Sequence, residues 1–385
     1  MSETFPSEQS SHTDPVSGVT VRQLTGYRAH SCHLYFTNNG LWDGGRRMVF
    51  LSDRGNASNL FSIELAGGEI TRLTDLSVGP ESPDSIFLNP VRAECYFVVA
   101  RREVRAVELR TGRVRKLMDA PDGFMLGNLS CTADGRTVCV AVLEDLSDRI
   151  HMDLQHGYIG FREYYEARPL CRIDAIDLDG GRARTAWREQ AWVGHVNTSP
   201  ALGDVLTFCH EGPWELVGQR MWRLGISAGR AEPLRPQAGG EAVGHEYWFA
   251  DGQRVGYHGK RADGVHCFGA IRHDNTEGRE WPFGHYSMHF HSIDETLIVG
   301  DGQPGQPYLL LYRFAGDRYE GPRVLACHRG SFHVQMVHVH PRMFRDAGGR
   351  TCVVYTADPQ GYGQVHLVEV PAFESLPALE EPPRR

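Results

Sequence analysis

The run FHVQMVHVHP at 332–341 brings Gln335, His338 and His340 within six residues. In an extended chain alternate side chains share a face. His338 and His340 can therefore present two imidazoles to one ion while Val337 and Val339 face the other way. Gln335 is out of phase with that pair by one residue, so it joins them only if a turn or bulge precedes the strand. Imidazole suits zinc, copper, iron and nickel, whereas an amide oxygen favours harder ions such as manganese and magnesium; the donor set alone leaves the metal open. An isolated pair of this kind is more often structural. A second cluster, HYSMHFHS, with His285, His289 and His291, changes that balance, because two such clusters on neighbouring repeats can converge.

Two further features carry chemistry. HEGPWELVGQRMW sets Arg220 between Trp214 and Trp222, and an arginine held by rigid neighbours makes a carboxylate clamp; the competing reading pairs it with a nearby acid such as Glu215. Tyr247 and Trp248, beside His245, offer ring faces to a sugar-like ligand and would serve equally as packing. A divalent ion, an arginine and a neutral histidine together suit removal of a proton alpha to a carboxylate: the cations stabilise the enolate-like charge and the imidazole takes the proton. With a leaving group on the next carbon the outcome is β-elimination. Glycoside hydrolysis would instead use two carboxyl groups at a set separation, and no such pair stands out.

The elements that must position these residues repeat seven times. Each copy has a turn, a short apolar strand, a polar loop, a second strand ending near an acid, a Gly turn and a closing strand. GGRRMVFLSDRG, NLFSIEL, AGG and EITRLT form the first clear copy, and GGRTCVVYTAD to VHLVEV the last. A spacing of about 45–65 residues predicts an all-β, seven-bladed β-propeller over 19–372, with a β-sandwich as the competing architecture. VTVRQLTG near the start resembles the closing strand EITRLT, so it is expected to complete the seventh blade and leave no open seam. His195, His245, His291 and His340 recur at the entrances of successive blades, where loops meet over the central channel. Residues 1–18 are expected as a disordered tail, 373–385 as a second tail, and the insertion HMDLQHGYIGFREYYEARPL as the one place for a turn or two of helix.

Composition narrows the function classes. Forty Lys and Arg against 48 Asp and Glu give a net charge of -8, which argues against nucleic acid as the main partner. Nine scattered cysteines without a CxxC pair read as free thiols in a reducing compartment. The polar start is neither a signal peptide nor an anchor, and no segment has the roughly 20 apolar residues needed to cross a bilayer, so a cytoplasmic location without membrane contact is expected.

GHEYWFADGQRVGYHG, CHEGPWELVGQRMW, HSIDETLIVGDG and QMVHVHP together resemble the oligogalacturonate lyases, polysaccharide lyase family 22, from about Val19 to Val370. The resemblance implies a cytoplasmic seven-bladed propeller that cleaves short pectin fragments, with manganese held by three histidines and a glutamine. By motif these are His338, His340, Gln335 and a third histidine, for which His291 is preferred over His289 because His291-Ser292 takes the same blade-entrance place as His340-Pro341. The family's base falls on His245 and its carboxylate-binding arginine on Arg220. The alternative is a non-catalytic TolB-like propeller that binds a sugar or protein. It would have no reason to gather Gln335, His338 and His340 opposite a free histidine. A propeller peptidase would need a further α/β domain with a nucleophile elbow.

Overall fold

The computed structural model describes residues 3–38, 40–154 and 157–379. Seven antiparallel sheets, each running outward from a central channel in chain order, make a seven-bladed β-propeller. Blade one comprises Ser31–His33 and Leu41–Trp42, then Arg47–Ser52, Asn59–Glu64 and Ile70–Arg72. Blades two to six run from Ile86–Leu88 to Val114–Asp119, Phe124–Cys131 to Ala183–Gln190, Val193–Thr198 to Arg230–Pro233, Ala242–Trp248 to Arg279–Pro282, and Phe290–Ser292 to Tyr319–Cys327. Blade seven joins Arg342–Arg345, Thr351–Ala357 and Gln364–Glu369 to Thr20–Gln23. Val21 pairs with Val368 and Gln23 with His366, so the N-terminal segment closes the ring as expected.

Each blade lies between two others, so its middle strands are buried on both faces and read as continuous apolar runs, as in Met48–Ser52 and Val138–Leu143. The core sits between neighbouring blades. Val49, Leu51 and Leu60 meet Cys95, Phe97 and Val107, and Tyr247, Phe249 and Phe268 meet Ile298, Leu310 and Tyr312. Each such side chain contributes about 1.5–3 kcal/mol of burial. All nine cysteines are free, and eight of them are buried.

Both expected tails are structured where they are described. Thr4–Phe5 pairs with the outer strand of blade one, and Ser10–Thr13 adds a fifth strand to blade seven. An outermost strand needs a backbone partner on one side only, so its polar composition is no obstacle. The segment is also tied inward, because Glu8 lies 2.8 Å from the buried guanidinium of Arg54, which packs over the rings of Phe5, Tyr27, Phe50 and Phe61. At the other end Phe373 and Leu376 are buried, and the Val324 N–H donates to the Pro377 carbonyl at 2.9 Å. Residues 380–385 of the expected tail lie outside the described residues.

The inner strands of blades three, four and five share a β-bulge. In blade four, Gly194 pairs with Cys209 and Asn197 with Thr207, three steps against two; in blade five, Gly244 pairs with His258 and Tyr247 with Gly256. Blade three repeats the slip between Leu126 and Leu129. The extra residue re-aims side chains toward the channel, and at two of the three positions it includes a histidine, His195 (φ 50°) and His245 (φ 51°), both left-handed. The blade-three insertion carries a short helix, Phe161–Glu166. The run Gly225–Gly229, GISAG, has the spacing of a nucleophile elbow, but it is the turn between two strands of blade four, with the Gly229 N–H donating to Gly225 O at 2.9 Å. No strand-to-helix elbow is formed there.

Candidate active site

The two histidine clusters converge at the channel mouth. Candidate ligand atoms of His289, His338 and His340 all lie within 4.8 Å of one another, and the three residues are buried. Gln335–Val337 forms a single 3-10 turn, a break in the extended chain just ahead of the two histidines. His338 follows in extended conformation and His340 at φ 44°, with Val337 and Val339 buried on the opposite side. Asp301, from the Gly300–Gly302 turn, fixes His289: Oδ1 accepts its backbone N–H at 2.8 Å, and Oδ2 lies 2.7 Å from Nδ1. A carboxylate can only accept, so Nδ1 carries the proton and Nε2 presents the lone pair.

His338 Nδ1 and His340 Nε2 are buried without a partner among the described residues. Burial, then the neighbouring His289, pushes the His338 imidazole down to about 4 and holds His340 well below the ordinary histidine range. Three clustered imidazoles, one of them backed by a carboxylate, fit a divalent ion. The Gln335 Nε2 donates to the Tyr158 hydroxyl at 2.7 Å, which leaves the amide oxygen as its free donor corner.

His291 is not part of this group. Its Nδ1 accepts the Met343 N–H at 3.1 Å and its ring stacks on Tyr247 with centroids 4.7 Å apart, making it a packing histidine between blades six and seven. The expectation of His291 as third ligand is corrected to His289. The blade-six entrance begins before its inner strand, so the residue equivalent to His340 comes two positions earlier.

His245 lies beside the cluster, with its ring 4.7 Å from His289. Its Nδ1 is 2.8 Å from the Met288 carbonyl, which can only accept, so the proton sits on Nδ1 and Nε2 is basic. Burial, then the neighbouring His289 and His258, holds its pKa well below the ordinary value, and the ring is neutral at pH 7.

Arg220 is 2 % exposed. Its Cζ lies 5.0 Å from the Trp214 ring centroid, while Trp222 turns away to pack on Phe208 and His210. Its acidic partner is Glu211, 3.0 Å from Nη1, rather than Glu215, and Nε is buried without a hydrogen-bond partner among the described residues. Glu211 also reaches His195 Nε2 at 3.3 Å. Burial alone would raise the Glu211 pKa, but Arg220 and His195 together hold it well below the carboxylate range, and the same contact raises His195 against its own burial. Gly244 makes room for the arginine, since a Cβ there would stand 2.4 Å from Nε and 2.8 Å from Cδ.

Trp248, expected as a substrate platform, is buried and donates its indole N–H to the Asn197 carbonyl at 2.8 Å. The bulge at His245 inverts the faces beyond it and turns Trp248 into the contact between blades four and five. Trp214 instead brings its ring to 5.1 Å from His245. Sequence reasoning also missed Tyr35 and Phe36, where the inner strand of blade one is interrupted. Phe36 lies under His245, His289 and His340, and Tyr35 contacts His195 and His340. Two adjacent aromatics between short strands were the available signal.

Comparison with known proteins places the chain among related sequences and folds. The family model described as oligogalacturonate lyase matches residues 3–309. The oligogalacturonide lyase of Pectobacterium atrosepticum is 25% identical and the oligogalacturonate lyase of Dickeya dadantii 26%, each alignment covering 94% of this chain and 95% of the relative. Among solved structures, an oligogalacturonate lyase in complex with manganese superposes with a TM-score of 0.86 at 23% identity, covering 96% of this chain and 98% of that one. An oligogalacturonate lyase from Vibrio parahaemolyticus gives 0.85 at 21%, covering 96% and 99%. The chain therefore belongs to the oligogalacturonate lyase family, a family of carbon–oxygen lyases.

Proposed function

We propose that this chain cleaves short oligogalacturonates by β-elimination, with His289, His338, His340 and Gln335 holding a manganese ion, Arg220 binding the substrate carboxylate and His245 acting as base. The observation that carries the reading is the neighbourhood of two kinds of histidine: three whose candidate ligand atoms lie within 4.8 Å of one another, and a fourth beside them whose Nδ1 is committed to a carbonyl. Manganese accords with the mixed nitrogen and oxygen donor set and with the manganese complex of the solved relative. When bound, the ion supplies positive charge that lowers the cost of the enolate-like intermediate.

The chain's own residues do the rest. Arg220, held by Glu211 and Trp214, offers its guanidinium to the uronate carboxylate and stabilises the charge that grows on it. His245 Nε2 takes the C5 proton; the C–H electrons become the C4–C5 double bond, and the C4–O bond breaks with its electron pair. The departing oxygen is protonated from solvent. His195, whose pKa Glu211 raises against its own burial, adds a second basic group to the face met by an anionic substrate. The nine free cysteines accord with a reducing, cytoplasmic compartment.

Absorbance from the conjugated unsaturated uronate, followed during incubation with oligogalacturonates and manganese, tests the reading. Wild-type protein should generate the band. His245→Asn should retain the metal and the fold and lose a factor of roughly 10²–10⁴ in turnover. Absence of the band with wild-type protein would refute the activity, and loss of metal in His245→Asn would make His245 a ligand.

A further inference from the structure

The insertion between the second and third strands of blade three, residues 145–169, reaches well beyond its own blade. Phe161 and Tyr164 pack edge-on against Trp192, and the Tyr164 hydroxyl donates to the Glu144 carbonyl at 2.7 Å. The Tyr165 hydroxyl donates to Leu216 O at 2.8 Å, and its ring fills the space over Gly212, where a Cβ would lie 2.3 Å from it. Both contacts fall on the blade-four loop that carries Glu211, Trp214 and Arg220. From this base Tyr158, at a left-handed φ of 56°, places its hydroxyl 2.7 Å from Gln335 Nε2 in blade seven. The insertion thus joins blades three, four and seven across the channel mouth.

The chemistry of that contact is directional. The amide nitrogen can only donate, and the phenol oxygen accepts from it. An amide has one end that can ligate a cation and one that cannot, and rotation by half a turn exchanges them. Holding Nε2 on Tyr158 keeps Oε1 as the corner available to an ion. Left-handed backbone at a non-glycine residue costs about 1 kcal/mol or more, and here it aims the tyrosine at Gln335.

We propose that Tyr158 is a positioning residue of the ion site, fixing the amide orientation of Gln335 and so making the blade-three insertion part of the metal centre. The inference rests on the ligand set of the proposed function. Manganese affinity, measured by calorimetric titration of the purified full chain, tests it without reference to turnover. Tyr158→Phe should weaken manganese binding about 10-fold, the lower end of what losing a residue that orients a metal ligand costs, with an unchanged melting temperature. In a Gln335→Glu background both ends of the group are oxygens, so adding Tyr158→Phe should change affinity by less than about 2-fold. In a Gln335→Ala background it should change nothing. Wild-type affinity in Tyr158→Phe would overturn the proposal, as would an undiminished loss in the Gln335→Ala background. Wild-type affinity in Gln335→Ala would instead overturn the ligand set itself.

Discussion

Gly244→Ala is a steric test of the arginine's role that leaves every polar group in place. Gly244 has no left-handed φ, so alanine fits its backbone, and the effect must come from the added methyl. That methyl would meet Arg220 at 2.4 Å from Nε and 2.8 Å from Cδ, with Trp214 Cζ2 at 3.3 Å behind. Ordinary contact begins near 3.4 Å, so the guanidinium must shift by about 1 Å, and it cannot swing freely because Glu211 and Trp214 hold it. Overpacking of this kind costs about 1–3 kcal/mol. A misplacement of about 1 Å at a group that orients substrate costs about 10² in rate. Blade four supplies the control. Gly194 occupies the equivalent bulge, but the nearest contacts to an added Cβ are Cys209 Sγ and Glu211 Oε2, both at an ordinary 3.4 Å, so Gly194→Ala should stay within about 1 kcal/mol and near wild-type turnover. Thermal melting, manganese titration and the unsaturated-product assay on both variants decide the matter. Full turnover in Gly244→Ala would refute the placement of Arg220 as the carboxylate-binding group, and equal losses in both variants would show that the bulge, not the arginine, is what alanine disturbs.

Two other outcomes follow from the same geometry. His289→Ala should lose bound manganese by elemental analysis, whereas His291→Ala should keep it and melt lower, because it strands the Met343 N–H and removes the ring stacked on Tyr247; the reverse pattern would restore His291 as the ligand. Glu211, whose pKa is depressed in the folded state, contributes stability that is present above its unfolded pKa of about 4.3 and lost as pH falls below it. The stability gap between wild type and Glu211→Gln should therefore narrow in denaturant titrations below about pH 4, and a gap independent of pH would refute the pairing.

The legible part of the fold was the middle two strands of each blade, since burial on both faces writes them as apolar runs such as MVFLS and CYFVV. The inner strands were harder to see. VGHVNT, FHS and SCH line a polar channel and carry no such pattern, although they hold the site. Gln335, His338 and His340 could be read because one short turn contains them. His289 could not be separated from His291, because the choice depends on Asp301, whose carboxylate arrives from the turn beyond the next strand. Trp248 was misread for a related reason: alternation counted along EYW predicts a face, and the one-residue slip at His245 inverts it. The partner of Arg220 was likewise a matter of geometry: Glu215 is nearer in sequence, yet the fold brings Glu211 to the guanidinium.

Closure of blade seven also sets the order in which the molecule can be made. Thr20–Gln23 leaves the ribosome ahead of blades one to six, yet its partner strand Gln364–Glu369 follows all of them. Joining ends so far apart in a free coil would cost about 5 kcal/mol of chain entropy, and the stacking of blades one to six removes most of that by carrying the two ends toward each other. During synthesis His245, Arg220 and His289 are thus in place while Gln335, His338 and His340 still wait for their blade. A chain stopped short of blade seven would hold His245 and Arg220 but only one of the three clustered histidines, so on the proposed ligand set metal loading would report a finished and closed ring.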